Sequence, residues 1–379
     1  MRPHFMLPVI GLTLAACTQN TSTDAGAGAI EVTSSDTACE VMTAQAPSGT
    51  LAFHVRNTGS DVSEFYLLGD DGLRIIGEVE NIGPGLTRDL VVTAQPGKYF
   101  TSCDPGMNGD EIRATFTVND SGTPLRVGAA SEQLQLATTA YAKYVERQTS
   151  QLLTSTEAFA QAYASGDDEQ ARALYAPTRV HWERIEPVAE SFGDLDPKLD
   201  LREADLEEGQ RWTGWHAIEK DLWPPASGYT ALTPKLRQRL ADQLVTDTAD
   251  LDARVQDLTY TPDQLSNGAK ELLDEVATGK VTGEEEIWSH TDLWDFQANV
   301  DGARIAFEEL KPVVESKNPE LADALTMRFK ALQDLLDQYR EPDGFVLYTD
   351  LTQRQVKELA AAVNALSEPL SLLTSTVLL

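Results

Sequence analysis

The sequence predicts a multidomain protein: an N-terminal β-sandwich followed by an all-α domain of two four-helix bundles. Three observations carry this expectation. Apolar and polar residues alternate from residue 30 to residue 118, the pattern of half-buried strands. Near residue 125 the apolar period changes to three and four, and Ala and Leu become abundant. Within the helical part, one segment recurs at an offset of 125 residues.

The strand region reads IEVTS, GTLAFHVRNTG, SEFYLLG, LRIIGEVENIGPG, TRDLVVTAQPGKYFTSC and EIRATFTVND. Asn57-Thr58-Gly59, Pro84-Gly85 and Pro96-Gly97 supply turns between the runs. About seven short strands in this space suit two packed sheets. We place the sandwich at residues 29–119, a linker at 120–130 and the helical domain at 131–379.

Breakers divide the helical region at Ser165-Gly166-Asp167, residues 193–197, Pro224-Pro225, Thr261-Pro262, residues 279–283, Asn318-Pro319 and Pro342-Asp343-Gly344. They leave about eight helices, which two bundles accommodate. The repeat supports two units. Residues 178–190 (TRVHWERIEPVAE) align without a gap to residues 303–315 (ARIAFEELKPVVE). Arg179 matches Arg304, Glu183 matches Glu308 and Pro187 matches Pro312. A proline inside a helical pattern removes a hydrogen bond and clashes with the preceding turn. Its recurrence in one frame predicts two copies of one kinked helix. His181 faces Ala306 across the alignment, so a site using it belongs to the first copy alone.

The first residues, MRPHFMLPVIGLTLAAC, have a basic start and an apolar run too short to span a bilayer. Leu14-Ala15-Ala16-Cys17 resembles the bacterial lipobox. The resemblance implies a signal peptide at residues 1–16, cleavage before Cys17 and lipidation of its thiol. Residues 17–28 are small and polar, as a tether would be. The expected mature protein is exported to the periplasm or the extracellular face and held to the membrane by its lipid anchor. In an oxidising compartment the remaining cysteines, Cys39 and Cys103, either form one disulfide or share a soft metal. Asp and Glu number 60 against 30 Lys and Arg, a formal net charge of -30. Such a chain repels phosphate backbones, so nucleic acid is excluded as a partner.

The chemistry concentrates around the rare histidines. In RWTGWHAIEKDLW, His216 and Glu219 stand at i and i+3 on one helix face, beside an apolar stripe of Trp215, Ile218 and Leu222. Bundle proteins hold iron or manganese with inward Glu/His pairs at this spacing. Glu183, Glu186 and Glu190 share a second face, with His181 on a neighbouring one. Asp194, Asp196 and Asp200 crowd a loop punctuated by Gly and Pro. In EEEIWSHTDLWDFQANVD, Asp295 and Asn299 are i and i+4, and their burial would require partners.

Three segments, HWERIEPVAESFGDLDPKLDLRE, GWHAIEKDLW and WSHTDLWDFQANVDGA, in this order resemble the imelysin-type domain of the EfeO family. Members of that family are extracytoplasmic components of bacterial iron-uptake systems. The likeness spans essentially the whole helical region, and Gly214-x-His216-x-x-Glu219 matches the family signature. It implies a metal site in a cleft between helices. The implied ligands are His216 and Glu219 with Glu183, Glu186 and His181, and then Asp196 and Asp200. Iron is the implied cargo, with zinc or manganese as alternatives suited to the same donors. The implied partners are an iron permease and a haem peroxidase. The implied role is metal capture and delivery rather than catalysis. The alternative is a metallopeptidase of the imelysin family, against which the absence of HExxH counts.

The sandwich lacks the paired histidines of a blue-copper centre: His54 is its only histidine. Its ACEV, ENIGPG and PGKYFTSCDPGMNG nevertheless resemble the cupredoxin-like domain of longer EfeO proteins. That likeness implies a second metal site, with copper as an alternative occupant and an electron-transfer role. Its candidate ligands are Cys39, Cys103, Glu64 and Glu78, with His54 and Met107 as lesser ones.

Overall fold

The computed structural model describes residues 28–70, 72, 75–106, 111–122, 129–206 and 209–379. Cys17, the leader and Met107 lie outside the described residues.

The sandwich is built from β1 (Ile30–Ser35), β2 (Ala38–Val41), β3 (Gln45–Pro47), β4 (Gly49–Asn57), β5 (Ser63–Leu68), β6 (Ile75–Ile82), β7 (Thr87–Ala94), β8 (Gly97–Pro105) and β9 (Ile112–Asn119). One sheet has the order β2-β1-β4-β7 and the other β3-β9-β8-β5-β6. Alternation does what a pleated strand requires. Along β4, Leu51, Phe53 and Val55 point inward, and Phe53 meets Phe65 and Phe116 of the facing sheet. The run containing Pro96-Gly97 splits at that turn into β7 and β8, and ACEV and QAP form short strands of their own.

The cysteines resolve to a disulfide, Cys39–Cys103, which ties β2 of one sheet to β8 of the other. Bonded sulfurs offer no thiolate, the form in which cysteine binds metals. Cys39 and Cys103 are therefore withdrawn from the ligand set expected for the sandwich.

The helical domain comprises α1 (Ala129–Ser165), α2 (Asp168–Glu183), α3 (Leu195–Asp200), α4 (Trp215–Leu222), α5 (Pro234–Val255), α6 (Pro262–Thr278), α7 (Asp292–Lys317), α8 (Pro319–Leu336), α9 (Gln353–Leu370) and α10 (Leu373–Leu378). α6, α7, α8 and α9 close into one bundle. α1, α2 and α5 form the other group, completed by the short α4, and α7 packs on α1 and α2 as well. One continuous apolar core runs through both groups.

The two repeat copies do not have the same backbone. Pro312 lies inside α7, whereas α2 ends at Glu183 and the chain continues as a 3-10 turn over Glu186–Phe192 that contains Pro187. The expectation of two equivalent kinked helices is corrected: the first copy is broken. Two glycines seat the break. A Cβ on Gly268 of α6 would lie 1.7 Å from the Pro187 carbonyl oxygen, and one on Gly302 of α7 would lie 2.5 Å from that of Arg184. Only backbone without a side chain can approach so closely.

α6 also docks the sandwich. Asp263 in its first turn accepts a hydrogen bond from the Thr93 N–H of β7 at 2.8 Å, and the Asn267 side chain donates to the Val91 carbonyl at 3.1 Å. No helix among the described residues is long and apolar enough to cross a membrane.

Candidate metal centre

The centre is organised by α4, an eight-residue helix too short to be stable alone. Packing holds it. Trp215 is fully buried against Phe159 and Tyr175, and Ile218 and Leu222 enter the same core. Gly214 precedes the helix with φ +85°, and a Cβ there would lie 2.1 Å from the Leu199 carbonyl oxygen. That glycine lets α4 stand directly against α3, so His216 on one meets Asp200 on the other.

His216 is 1% exposed and Glu219 is wholly buried. His216 Nδ1 lies 3.4 Å from Glu219 Oε2. Its Nε2 faces Asp200 Oδ1 at 3.4 Å and Glu285 Oε1 at 3.5 Å, yet has no hydrogen-bond partner. Two overlapping donor groups result, Asp200–His216–Glu285 and His216–Glu219–Glu286. In each, the candidate ligand atoms lie within 4.8 Å of one another. Glu219 is oriented by the N–H groups of Trp288 at 3.1 Å and Ser289 at 2.7 Å, and Asp200 by the Trp182 indole at 2.8 Å. Such outer partners fix ligand geometry.

Two fixed cations share the space. Arg179 of α2 is fully buried and contacts Glu183, Asp200, Glu285, Glu286 and Asp295. Lys280 contacts Glu186 at 2.6 Å, Glu183 at 3.3 Å and Glu285 at 3.9 Å. Carboxyls outnumber these two cations severalfold. Asp292, Asp295 and Asn299 of α7 each leave one side-chain oxygen without a partner. An isolated buried carboxylate is costly, so the excess must be held by protons or by further cations.

The titration directions agree. Burial and Arg179 both act to lower the His216 pKa, but contacts with Asp200, Glu219 and Glu285 outweigh them and hold it well above the usual value. Burial acts to raise Glu219, but His216 and the Ser289 N–H bring it below the ordinary range. Burial and the neighbouring Glu219 push Glu286 well up, which favours its protonated form. Those contacts favour the protonated imidazole, so an ion bound at Nε2 would have to displace a proton.

Of the residues expected here, the structure brings His216, Glu219 and Asp200 together. Glu183 and Glu186 lie beside them but are bound to Arg179, Lys280 and Asn299. Asp196 lines the adjoining cleft. Burial, then Asp200, raises its pKa to about 7. His181 is not brought in: its Nδ1 meets Gln148 of α1 at 2.8 Å. Glu285 and Glu286 escaped the sequence reading as ligands. They occur in an acidic run, EEE, of the kind that usually marks a solvated turn. The match of Arg179 to Arg304 carries no sign of burial, since the Arg304 side chain is 37% exposed.

In the sandwich, Glu64 is engaged by the Tyr66 hydroxyl. His54 pairs with Asp89 on a partly exposed sheet face. Glu78 leaves the cysteine region and joins Glu190 and Glu271 at the contact with the helical domain.

Comparison with known proteins matches the family described as Imelysin to residues 137–373 and the family described as Cupredoxin-like domain to residues 6–118. The protein called "Iron uptake system component EfeO" of Escherichia coli strain K12 is 39% identical over 350 residues. The match covers 90% of this chain and 89% of that protein. The proteins of the same name from Escherichia coli O1:K1 and Shigella flexneri are 40% and 39% identical over the same shares.

Proposed function

This chain belongs to the EfeO family of iron uptake system components, and from that premise we propose that it captures iron outside the cytoplasm and passes it to a membrane permease. The observation that carries the reading is the fully buried His216, whose Nε2 makes no hydrogen bond of good geometry but faces the carboxylates of Asp200 and Glu285 at 3.4 and 3.5 Å. The donors fit the cargo. Imidazole and carboxylate suit iron, and the unbalanced buried negative charge favours a cation over a neutral ligand. His216, Glu219, Asp200, Glu285 and Glu286 would supply the ligand atoms. Arg179 would keep the carboxylates spaced before the ion arrives.

Delivery requires partners: a permease to receive the ion and, where its oxidation state changes, a redox partner such as a haem peroxidase. A lipid anchor at Cys17 would keep the carrier near them. The peptidase reading has less support: the chain contains no HExxH.

The test is anaerobic titration with ferrous iron of wild type, His216→Ala and Glu219→Ala. Each substitution is expected to weaken binding by at least about 100-fold, at or beyond the upper end of the effect of removing an outer-shell partner. Unchanged affinity in both variants would sink the assignment.

A further inference from the structure

One turn, residues 281–291 between α6 and α7, serves three of the five proposed ligands. It supplies the carboxyls of Glu285 and Glu286. Its Trp288 and Ser289 N–H groups donate to Glu219 Oε1 at 3.1 and 2.7 Å, and the Ser289 hydroxyl donates to Glu286 Oε2 at 2.9 Å. Beyond a single 3-10 turn at Lys280–Thr282, no helix or strand runs through it. Near its end His290 has φ +60°, a left-handed conformation that residues other than glycine adopt sparingly. Such a backbone persists where its surroundings over-determine it.

Tyr348, from the segment between α8 and α9, supplies that constraint. Its N–H donates to the His290 carbonyl at 2.9 Å, and its hydroxyl donates to the Val281 carbonyl. Its ring lies on Gly283, where a Cβ would come 2.6 Å from the ring carbon Cδ1. Tyr348 is 7% exposed, so water competes little for these bonds. One residue therefore grips both ends of the turn. The other bonds of the turn are local: the His290 N–H donates to the Glu286 carbonyl at 2.8 Å, and the Glu286 N–H to Asp292 Oδ1 at 3.1 Å. Were the His290 carbonyl released, its residue could relax to negative φ. The preceding peptides, whose N–H groups orient Glu219, would turn with it.

We infer that Tyr348 is a positioning residue for the metal centre. It sets Glu285, Glu286 and Glu219 relative to one another before a divalent cation arrives, without touching the ion. Outer groups of this kind tune affinity by holding the donor atoms in place. The metal role rests on the reading of the centre proposed above; the clamp on the turn does not.

The test uses the full chain and two readouts. Hydrogen–deuterium exchange over residues 281–291 reads the clamp without any metal. Titration with Mn²⁺, which suits the same donors as ferrous iron, reads its consequence. Tyr348→Phe keeps the ring and the N–H and removes only the hydroxyl. It should speed exchange in this segment and weaken Mn²⁺ binding about 10-fold, the lower end of the effect of removing an outer-shell partner. Tyr348→Ala should weaken it about 100-fold. Tyr99→Phe is the control: it removes a like hydrogen bond in the sandwich, to the Gln95 carbonyl at 3.0 Å, and should leave both readouts unchanged. Unchanged exchange in Tyr348→Phe would overturn the clamp whatever the metal does. Faster exchange with unchanged Mn²⁺ affinity, while His216→Ala weakens it, would overturn the positioning role and leave the centre standing. Affinity lost alike in Tyr348→Phe and Tyr99→Phe would also overturn it, as a general loss of stability. Affinity unaffected by His216→Ala would overturn the reading of the centre, and with it the metal role of Tyr348, even where faster exchange upholds the clamp.

Discussion

The two copies of the internal repeat share an Arg-x-x-x-Glu pair and use it for opposite ends. In the second copy, Arg304 and Glu308 meet at 3.1 Å on the outside of α7, with side chains 37% and 48% exposed. In the first, Arg179 and Glu183 are wholly buried beneath α3, α4 and α7, with Asp200, Glu285, Glu286 and Asp295 gathered around the same guanidinium. The motif is one and the surroundings differ. Water screens an exposed pair to near irrelevance, while burial turns the same pair into the electrostatic centre of a pocket. The broken backbone after Glu183 belongs to this difference, because it turns the chain away and opens the space that Asp196, Glu190 and the interdomain cleft occupy.

The sharpest way to break this comparison is to remove each arginine. Arg179→Met should cost about 3–5 kcal/mol in urea unfolding, since it strands several buried carboxylates. Added Mn²⁺ should restore part of the loss by binding the folded state. Arg304→Met should cost at most about 1 kcal/mol. Equal costs would show that burial is not what separates the copies. Next in size, replacing Cys39 and Cys103 by Ser should cost about 2–4 kcal/mol while leaving iron affinity at His216 unchanged. A fall in that affinity would return the cysteines to the metal chemistry. Gly268→Ala should cost about 1–3 kcal/mol in urea unfolding by forcing α6 off Pro187.

The smallest effect concerns His181, the residue that the second copy replaces by Ala306. Burial, then Arg184, lowers its pKa to about 4. The unfolded chain takes up a proton near pH 6.5 and the folded chain does not until about pH 4. His181 therefore favours the fold above pH 6.5, and that contribution is lost as pH falls through this window. His181→Gln should flatten the stability profile between these limits in a urea series. An unchanged profile would show that another group governs it.

Much of the centre is legible in the sequence. His216 and Glu219 share a face because a helix returns every 3.6 residues, and Gly214 before them marks a close backbone approach. Asp200 was in view as a member of an acidic loop. Glu285 and Glu286 were not, because three consecutive glutamates carry no periodicity that tells a buried turn from a solvated one. Glu78 was placed with the cysteines of its own domain, since nothing local ties a strand residue to a helix nearly two hundred positions later.

By itself, the sequence determined the change from strand to helix, the two-domain order, the HxxE face and the family resemblance. Each of these is written in local periodicity or in contiguous motif. Tertiary structure decided the rest: the disulfide, the break at Pro187, the burial of Arg179 and the meeting of Glu78 with Glu190 and Glu271. The physical reason is that charge acts through space and dielectric, not along the chain. Whether a carboxylate is a surface group, a salt-bridge partner or a metal ligand depends on what packs around it, and packing is settled only when distant elements have met.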